Sequence, residues 1–270
     1  ASTVILLTTG TLFVMWLGEK ITDKGLGNGT SIIIMVGILA RLPQNIVQEF
    51  SAKGQKGGGG LLIFLIEIAI LVTIIMALII LVQGVRKIPV NYAKQIIGNR
   101  QFGGARQFLP VKVNSAGVMP IIFAQAIMFI PAAVAGLSKS ETSQSIAGTF
   151  SNMFGFWYCL VFGSLIVIFT FFYTAITVPT NKMADDLKRS GGFIPGVKPG
   201  IETADFLDRI MSLITFPGSL FLALIAVFPA IVVGFGVQQS WAMFYGGTSL
   251  IIMVGVAIDT IQQVNSYLLN

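Results

Sequence analysis

The sequence contains no histidine, a single cysteine and very little charge: only 10% of its 270 residues are Asp, Glu, Lys or Arg. Without histidine neither an H-E-x-x-H zinc helix nor a Ser-His relay can be assembled, and G-x-S-x-G is absent as well. An enzyme is therefore a weak reading, and no cofactor or metal is called for. One cysteine excludes a disulfide framework, and Cys159 reads as a small buried or lipid-facing residue within an apolar run. A soluble domain of this size needs far more charge to solvate its surface. The apolar runs also lack the strict alternation of a membrane β-barrel. What remains is an all-α polytopic membrane protein.

The chain is 54% hydrophobic with 21 Phe, and its mean hydropathy is +0.85. Roughly 18 or more consecutive apolar residues mark a membrane-spanning helix. Seven apolar segments are expected: Ala1–Leu17, Thr30–Leu42, Leu61–Val82, Ala116–Leu137, Phe154–Val178, Ile210–Val233 and Gly247–Val264. The second is short before Pro43, so it either continues past the proline or is shielded by protein. Membrane helices tolerate proline where neighbours satisfy the freed carbonyl. The opening residues ASTVILLTTG carry no charged n-region and no A-x-A site, so they read as the later part of a span and not as a signal peptide.

Cations orient the segments. The loops after the first, third and fifth hold thirteen Lys and Arg, whereas those after the second, fourth and sixth hold four. Positive loops stay cytoplasmic, which puts the C-terminus on the cytoplasmic side. Six of the thirteen (Arg86, Lys87, Lys94, Arg100, Arg106, Lys112) fall between Gly84 and Asn114, a stretch without any acid. Such a surface suits a large acidic partner. Inside the spans charge is nearly absent. Glu67, seven residues into the third and near its outer end, reads as a snorkelled or paired interfacial carboxylate, with a functional carboxylate as the lesser alternative, and Asp259 lies near the cytoplasmic end of the seventh.

Gly25-Leu26-Gly27-Asn28-Gly29 lacks the Lys-Ser/Thr of a phosphate loop and follows no strand. It reads as a tight turn before a helix capped at Thr30 or Ser31. The segment Gly191-Gly192-Phe193-Ile194-Pro195-Gly196-Val197-Lys198-Pro199-Gly200 is dense in turn residues and follows the mixed-charge run Lys182–Arg189. It is expected to be a rigid non-helical projection presenting Lys198 near its tip for contact with a partner.

Several ordered motifs together resemble the SecY family, the channel subunits of the bacterial Sec protein translocase. They are Trp16-Leu17-Gly18-Glu19 leading into Gly27-Asn28-Gly29-Thr30-Ser31-Ile32-Ile33-Ile34, then Val90-Asn91-Tyr92-Ala93-Lys94 and Leu109-Pro110-Val111-Lys112-Val113-Asn114-Ser115-Ala116-Gly117-Val118-Met119-Pro120. Ala184-Asp185-Asp186-Leu187-Lys188, Phe193–Gly200 and Gly246-Gly247-Thr248-Ser249-Leu250-Ile251-Ile252 complete the set. The resemblance runs over the whole chain and implies a SecY-type helical bundle in which about seven of ten expected spans are present, the C-terminal two-thirds.

By that resemblance residues 1–42 are the last two spans of the N-terminal half, 43–60 an external hinge loop, and 61–270 the C-terminal half with cytoplasmic loops 84–114 and 179–209. Ile34, Ile122 and Ile252 match a pore ring of aliphatic side chains, which would dewet a narrow pore yet yield to a passing peptide. Gln125 and Ile130 match the lateral gate. Arg86, Lys87, Lys94, Arg100, Arg106, Lys112, Lys188, Arg189 and Lys198 match the surface that docks the motor ATPase SecA or the ribosome, ribosomal RNA being a polyanion. The family usually has Arg where this chain has Lys198, which keeps the charge but loses the bidentate fork.

The implied function is the central pore of a protein-conducting channel in the cytoplasmic membrane, partnered by SecE and SecG. It would pass unfolded secretory polypeptides across and release membrane segments laterally into lipid. The alternatives are a secondary transporter with inverted repeats, or a non-conducting membrane scaffold that docks ribosomes.

Overall fold

The computed structural model describes residues 2–25, 29–54, 59–92, 95–97, 100–102, 106–137 and 152–269, with backbone alone at 95–97, 100–102, 106, 131–137 and 269. Helices α1 (Ser2–Asp23), α2 (Gly29–Gly54) and α3 (Gly60–Gln83) come first. Strands β1 (Val85–Tyr92), β2 (Gln95–Ile97), β3 (Arg100–Phe102) and β4 (Arg106–Lys112) follow, then α4 (Met119–Leu137), α5 (Phe156–Thr177), α6 (Thr180–Arg189) and β5 (Gly192–Phe193). The chain ends with α7 (Ile201–Gly234), the short α8 (Gln239–Ala242), a 3-10 turn at Met243–Tyr245 and α9 (Gly247–Leu269).

Among the described residues α1, α2, α3, α5, α7 and α9 are long and apolar enough to cross a membrane, and α4 is a shorter apolar helix. All seven expected segments are therefore helical. The 34 residues of α7 reach about 50 Å, against a hydrocarbon core of about 30 Å. Its first turns, with Glu202, Asp205, Asp208 and Arg209, are the excess. Side chains of α1 show why lipid contact suits it: only Gly18 is buried.

One boundary needs correction. The segment 43–60, expected as a hinge loop, is helical as far as Gly54 because α2 runs straight through Pro43. A proline costs a helix one hydrogen bond, with the carbonyl four residues back. Packing continues across it: Ile38 and Leu42 before the proline and Ile46 after it lie along one face and pack on a common core. Residues 55–58 lie outside the described residues, and α3 begins at Gly60. There Gly60 approaches the Lys53 carbonyl so closely that a Cβ would collide with it, and Phe50 meets Phe64 edge-on at 5.6 Å.

The described residues form two compact units, one within 1–79, 153–155 and 225–270, the other within 80–152 and 156–224. This division differs from one drawn at 43–60. In the first unit the buried centre is the non-spanning piece between α7 and α9. Trp241 donates its Nε1–H to the Tyr245 hydroxyl at 3.0 Å, and the two rings meet at 5.8 Å and 89°. Ile38, Leu42 and Ile46 of α2, Leu71 and Ile74 of α3, Phe228 and Val233 of α7 and Met253 of α9 close around them. Burial of a large aromatic with its polar hydrogen satisfied is the arrangement an apolar surrounding demands.

The glycine-rich run before α2 serves close packing. A Cβ on Gly29 would strike the Gly18 carbonyl of α1. The Thr22 hydroxyl donates to the Gly18 carbonyl at 2.9 Å and accepts the Gly29 N–H at 2.9 Å. Gly25 has φ 84°, as its turn requires, while Gly27 and Asn28 lie outside the described residues.

Candidate functional site

In the second unit the two basic loops are parts of one folded body. Strands β1 and β4 pair antiparallel from Val85↔Lys112 to Asn91↔Arg106. Strand β5, from the Pro/Gly projection, adds to the other edge of β1 through Asn91↔Phe193 and Tyr92↔Gly192. The sheet order is β4-β1-β5. Alternation assigns the faces. Ile88, Val90 and Val111 point inward with Leu187 of α6, Ile194, and Leu207 and Met211 of α7. Lys87, Pro89, Phe108, Pro110 and Lys112 are exposed on the other face.

The helix α6 is amphipathic for the same reason. Ala184 and Leu187 are buried, while Lys188 and Arg189 face solvent in its last turn, where cations suit the helix dipole. It stops at Ser190, whose N–H and hydroxyl both reach the Asp186 carbonyl. Gly191 follows at φ 70°, a left-handed end that glycine adopts freely.

The projection is built to hold Lys198. Ile194–Val197 is a turn closed by Val197 N–H to the Ile194 carbonyl at 3.2 Å, with Pro195 second and Gly196 third at φ 86°. That is the type II pattern, in which proline presets one angle and glycine supplies the positive one. The buried Thr203 hydroxyl then donates to the Lys198 carbonyl at 2.8 Å, and Gly200 accepts the N–H groups of Thr203 and Ala204. The backbone at the tip is fixed while the Lys198 side chain stays 85% exposed, with Glu202 at 3.6 Å its ion-pair partner.

Of the expected docking cations, Arg86, Lys87, Lys112, Lys188, Arg189 and Lys198 are exposed. Arg106 stands opposite Asn91 in the sheet, and Arg100 opposite Ile97 in the small β2–β3 hairpin. Lys94 lies outside the described residues. The strands themselves, and Thr203, had no place in the sequence reading. Alternation at Arg86–Val90 was the available signal for the first.

The expected pore and gate residues are on helices. Ile34 of α2 is 50% exposed and Ile122 of α4 42%, while Ile252 of α9 is half-buried. On α4, Ile121, Ala124 and Met128 form the buried stripe, so Ile122 and Gln125 share the open face, and Ile130 is exposed too. Phe123 of the same helix stacks on Phe169 of α5 at 6.3 Å.

The first unit holds a cluster in which only Glu67 had been singled out. Lys53 Nζ lies 2.8 Å from Glu67 Oε1 and 3.6 Å from Glu49 Oε1, all three side chains being buried. The pairing expected of Glu67 is present, and its partner stands on α2. The i, i+4 spacing of Glu49 and Lys53 was the legible signal, in a stretch that the family resemblance assigned to a hinge loop.

The family model for SecY matches residues 1–261. Among relatives, the protein translocase subunit SecY of Thermotoga maritima is 41% identical over 97% of this chain and 58% of its own length. That of Halalkalibacterium halodurans is 43% identical over 98% of this chain and 63% of its own length. The chain thus spans about three-fifths of the length of the relatives it matches. A solved structure described as a protein-conducting channel superposes with a TM-score of 0.60 at 14% identity, covering 96% of this chain and 63% of that one. A second, concerned with the plug domain of SecY and the closed state of the channel, gives 0.59 at 15% identity, with coverage of 96% and 64%.

Proposed function

This chain belongs to the SecY family of multi-pass membrane proteins, and from that premise we propose that it is the central pore subunit of a channel for unfolded polypeptides. Translocase subunits among its relatives support this over a solute transporter. In this reading the chain sits in the bacterial cytoplasmic membrane with its C-terminus inside, beside SecE and SecG. It has no chemistry of its own: SecA or the elongating ribosome drives the polypeptide through, and apolar segments leave sideways into lipid past Gln125 and Ile130.

The observation that carries the reading is the joining of both basic loops in one sheet. A docking partner needs a surface that stays rigid under load, and two independent loops would have to be ordered separately on contact. Here β1 and β5 share hydrogen bonds and the two loops share an apolar core, so Lys87, Lys112, Lys188, Arg189 and Lys198 are carried by one preorganised body. Arg86, Lys94, Arg100 and Arg106 extend it in this proposal. A polyanion such as ribosomal RNA would bind it in a salt-sensitive manner.

The pore half of the proposal assigns Ile34, Ile122 and Ile252 to the constriction. Replacing all three with Gly in the full-length channel removes its dewetting barrier. Vesicles carrying the triple variant should leak ions at rest while the wild type holds a gradient. An unchanged conductance would leave a non-conducting scaffold as the better account.

A further inference from the structure

The buried ion cluster at the α2–α3 turn has an unbalanced charge. Glu49 and Lys53 of α2 and Glu67 of α3 are 1%, 6% and 5% exposed. Two carboxylates and one ammonium leave a net single negative charge shut away from water. Lys53 Nζ lies 2.8 Å from Glu67 and 3.6 Å from Glu49, so one ammonium is shared between two carboxylates. Glu49 Oε2 and Glu67 Oε2, both inaccessible, have no hydrogen-bond donor among the described residues. Helix capping does not account for them, since both acids are interior to their helices.

Among the described residues, the other groups facing the cluster do not supply a positive charge. The backbone N–H of Gln238 reaches Glu49, a single dipole. Tyr245 approaches from the 3-10 turn, and burial, reinforced by the nearby Glu67, pushes its phenol up, so it stays neutral. Its oxygen already accepts from Trp241. A buried charge without a counter-charge is among the costliest things a fold can hold. In a helix hairpin bordering lipid, water is a poor remedy.

We propose that the Glu49–Lys53–Glu67 cluster is a binding site for one small monovalent cation, a proton or an alkali ion, whose uptake neutralises it and completes the clasp between α2 and α3. Gly60 packed against the Lys53 carbonyl and the Phe50–Phe64 contact hold the two helix ends together around it. Loss of the cation leaves a bare carboxylate between them and loosens the turn.

The test is infrared spectroscopy of the full-length protein in vesicles at neutral pH, reading the C=O stretch of protonated carboxyl groups. One arm uses sodium chloride, the other choline chloride as the only salt. A proton ligand gives the band in both arms; an alkali ligand gives it in choline alone, declining as sodium is added. Either Glu49→Gln or Glu67→Gln should abolish it, because the remaining carboxylate then balances Lys53. Lys53→Met should roughly double it, as both carboxylates then need a counter-charge. A wild-type spectrum without the band in both arms overturns the proposal. A band that survives both glutamine substitutions overturns it equally.

Discussion

Thr203→Val separates how Lys198 is held from what Lys198 carries. The substitution keeps shape and deletes one hydrogen bond, from the Thr203 hydroxyl to the Lys198 carbonyl at 2.8 Å. Thr203 is 2% exposed, but the carbonyl belongs to an exposed residue and can turn to water. The loss is therefore near the ordinary net value of such a bond, about 1 kcal/mol, and not the larger cost of an orphaned buried acceptor. About 1 kcal/mol is roughly a fivefold change in an equilibrium. If the tip must be ordered to dock, affinity for ribosomes or SecA should fall about fivefold, with the charge count unchanged. The assay is binding to vesicles holding the full-length channel, measured across a salt series. Thr203→Val should lower the whole line without altering its slope, whereas Lys198→Glu should lower the line and flatten it by about 0.7–0.9 or more per lost phosphate contact. Thr203→Ser should restore binding. Wild-type affinity in Thr203→Val, or a flattened slope in it, would refute the positioning role.

Lys198→Glu should also slow preprotein translocation severely while assembly with the other subunits is retained; normal rates would remove Lys198 from the docking face. Gly29→Ala places a methyl group on the Gly18 carbonyl, and forced overpacking of this kind costs about 1–3 kcal/mol, visible as a lower midpoint in thermal unfolding in detergent. Leu207→Ala opens a cavity under the sheet, where Leu207 is 1% exposed, at about 2–5 kcal/mol. Proteolysis should then cut the β1–β4 and β5 segments faster, and unchanged cleavage would show that the sheet does not depend on that core.

The apolar helices were legible because continuous runs bounded by charge have few other readings. The sheet was not. Its two long strands are separated by residues 93–105, too many for a short-turn hairpin signal, and each contains a proline, Pro89 or Pro110, which normally demotes a strand to an edge. Both prolines fall at exposed positions, where alternation leaves the inward residues Ile88, Val90 and Val111 intact. Strand β5 is two residues long and exists through its partner, so no local pattern marks it. At Pro43 the sequence left continuation open and the family resemblance favoured a hinge loop; the stripe Ile38, Leu42, Ile46, Glu49 and Lys53, whose steps of three and four place them on one helix face, was the evidence for continuation.

Charge counting by loop treats every cation alike, and the structure separates two kinds. Lys87, Lys112, Lys188, Arg189 and Lys198 remain in solvent, free to orient the chain and meet a polyanion. Lys53 is buried against Glu67 and Glu49 and is committed to holding α2 to α3, so it does not act as a free loop charge. Removing it reduces the four opposing cations to three and leaves the thirteen untouched. The charge asymmetry on which the proposed orientation rests is therefore steeper than the raw sequence indicates. Among the described residues, where Glu49 and Glu67 meet the single Lys53, the shortfall is what the proposed cation would make good.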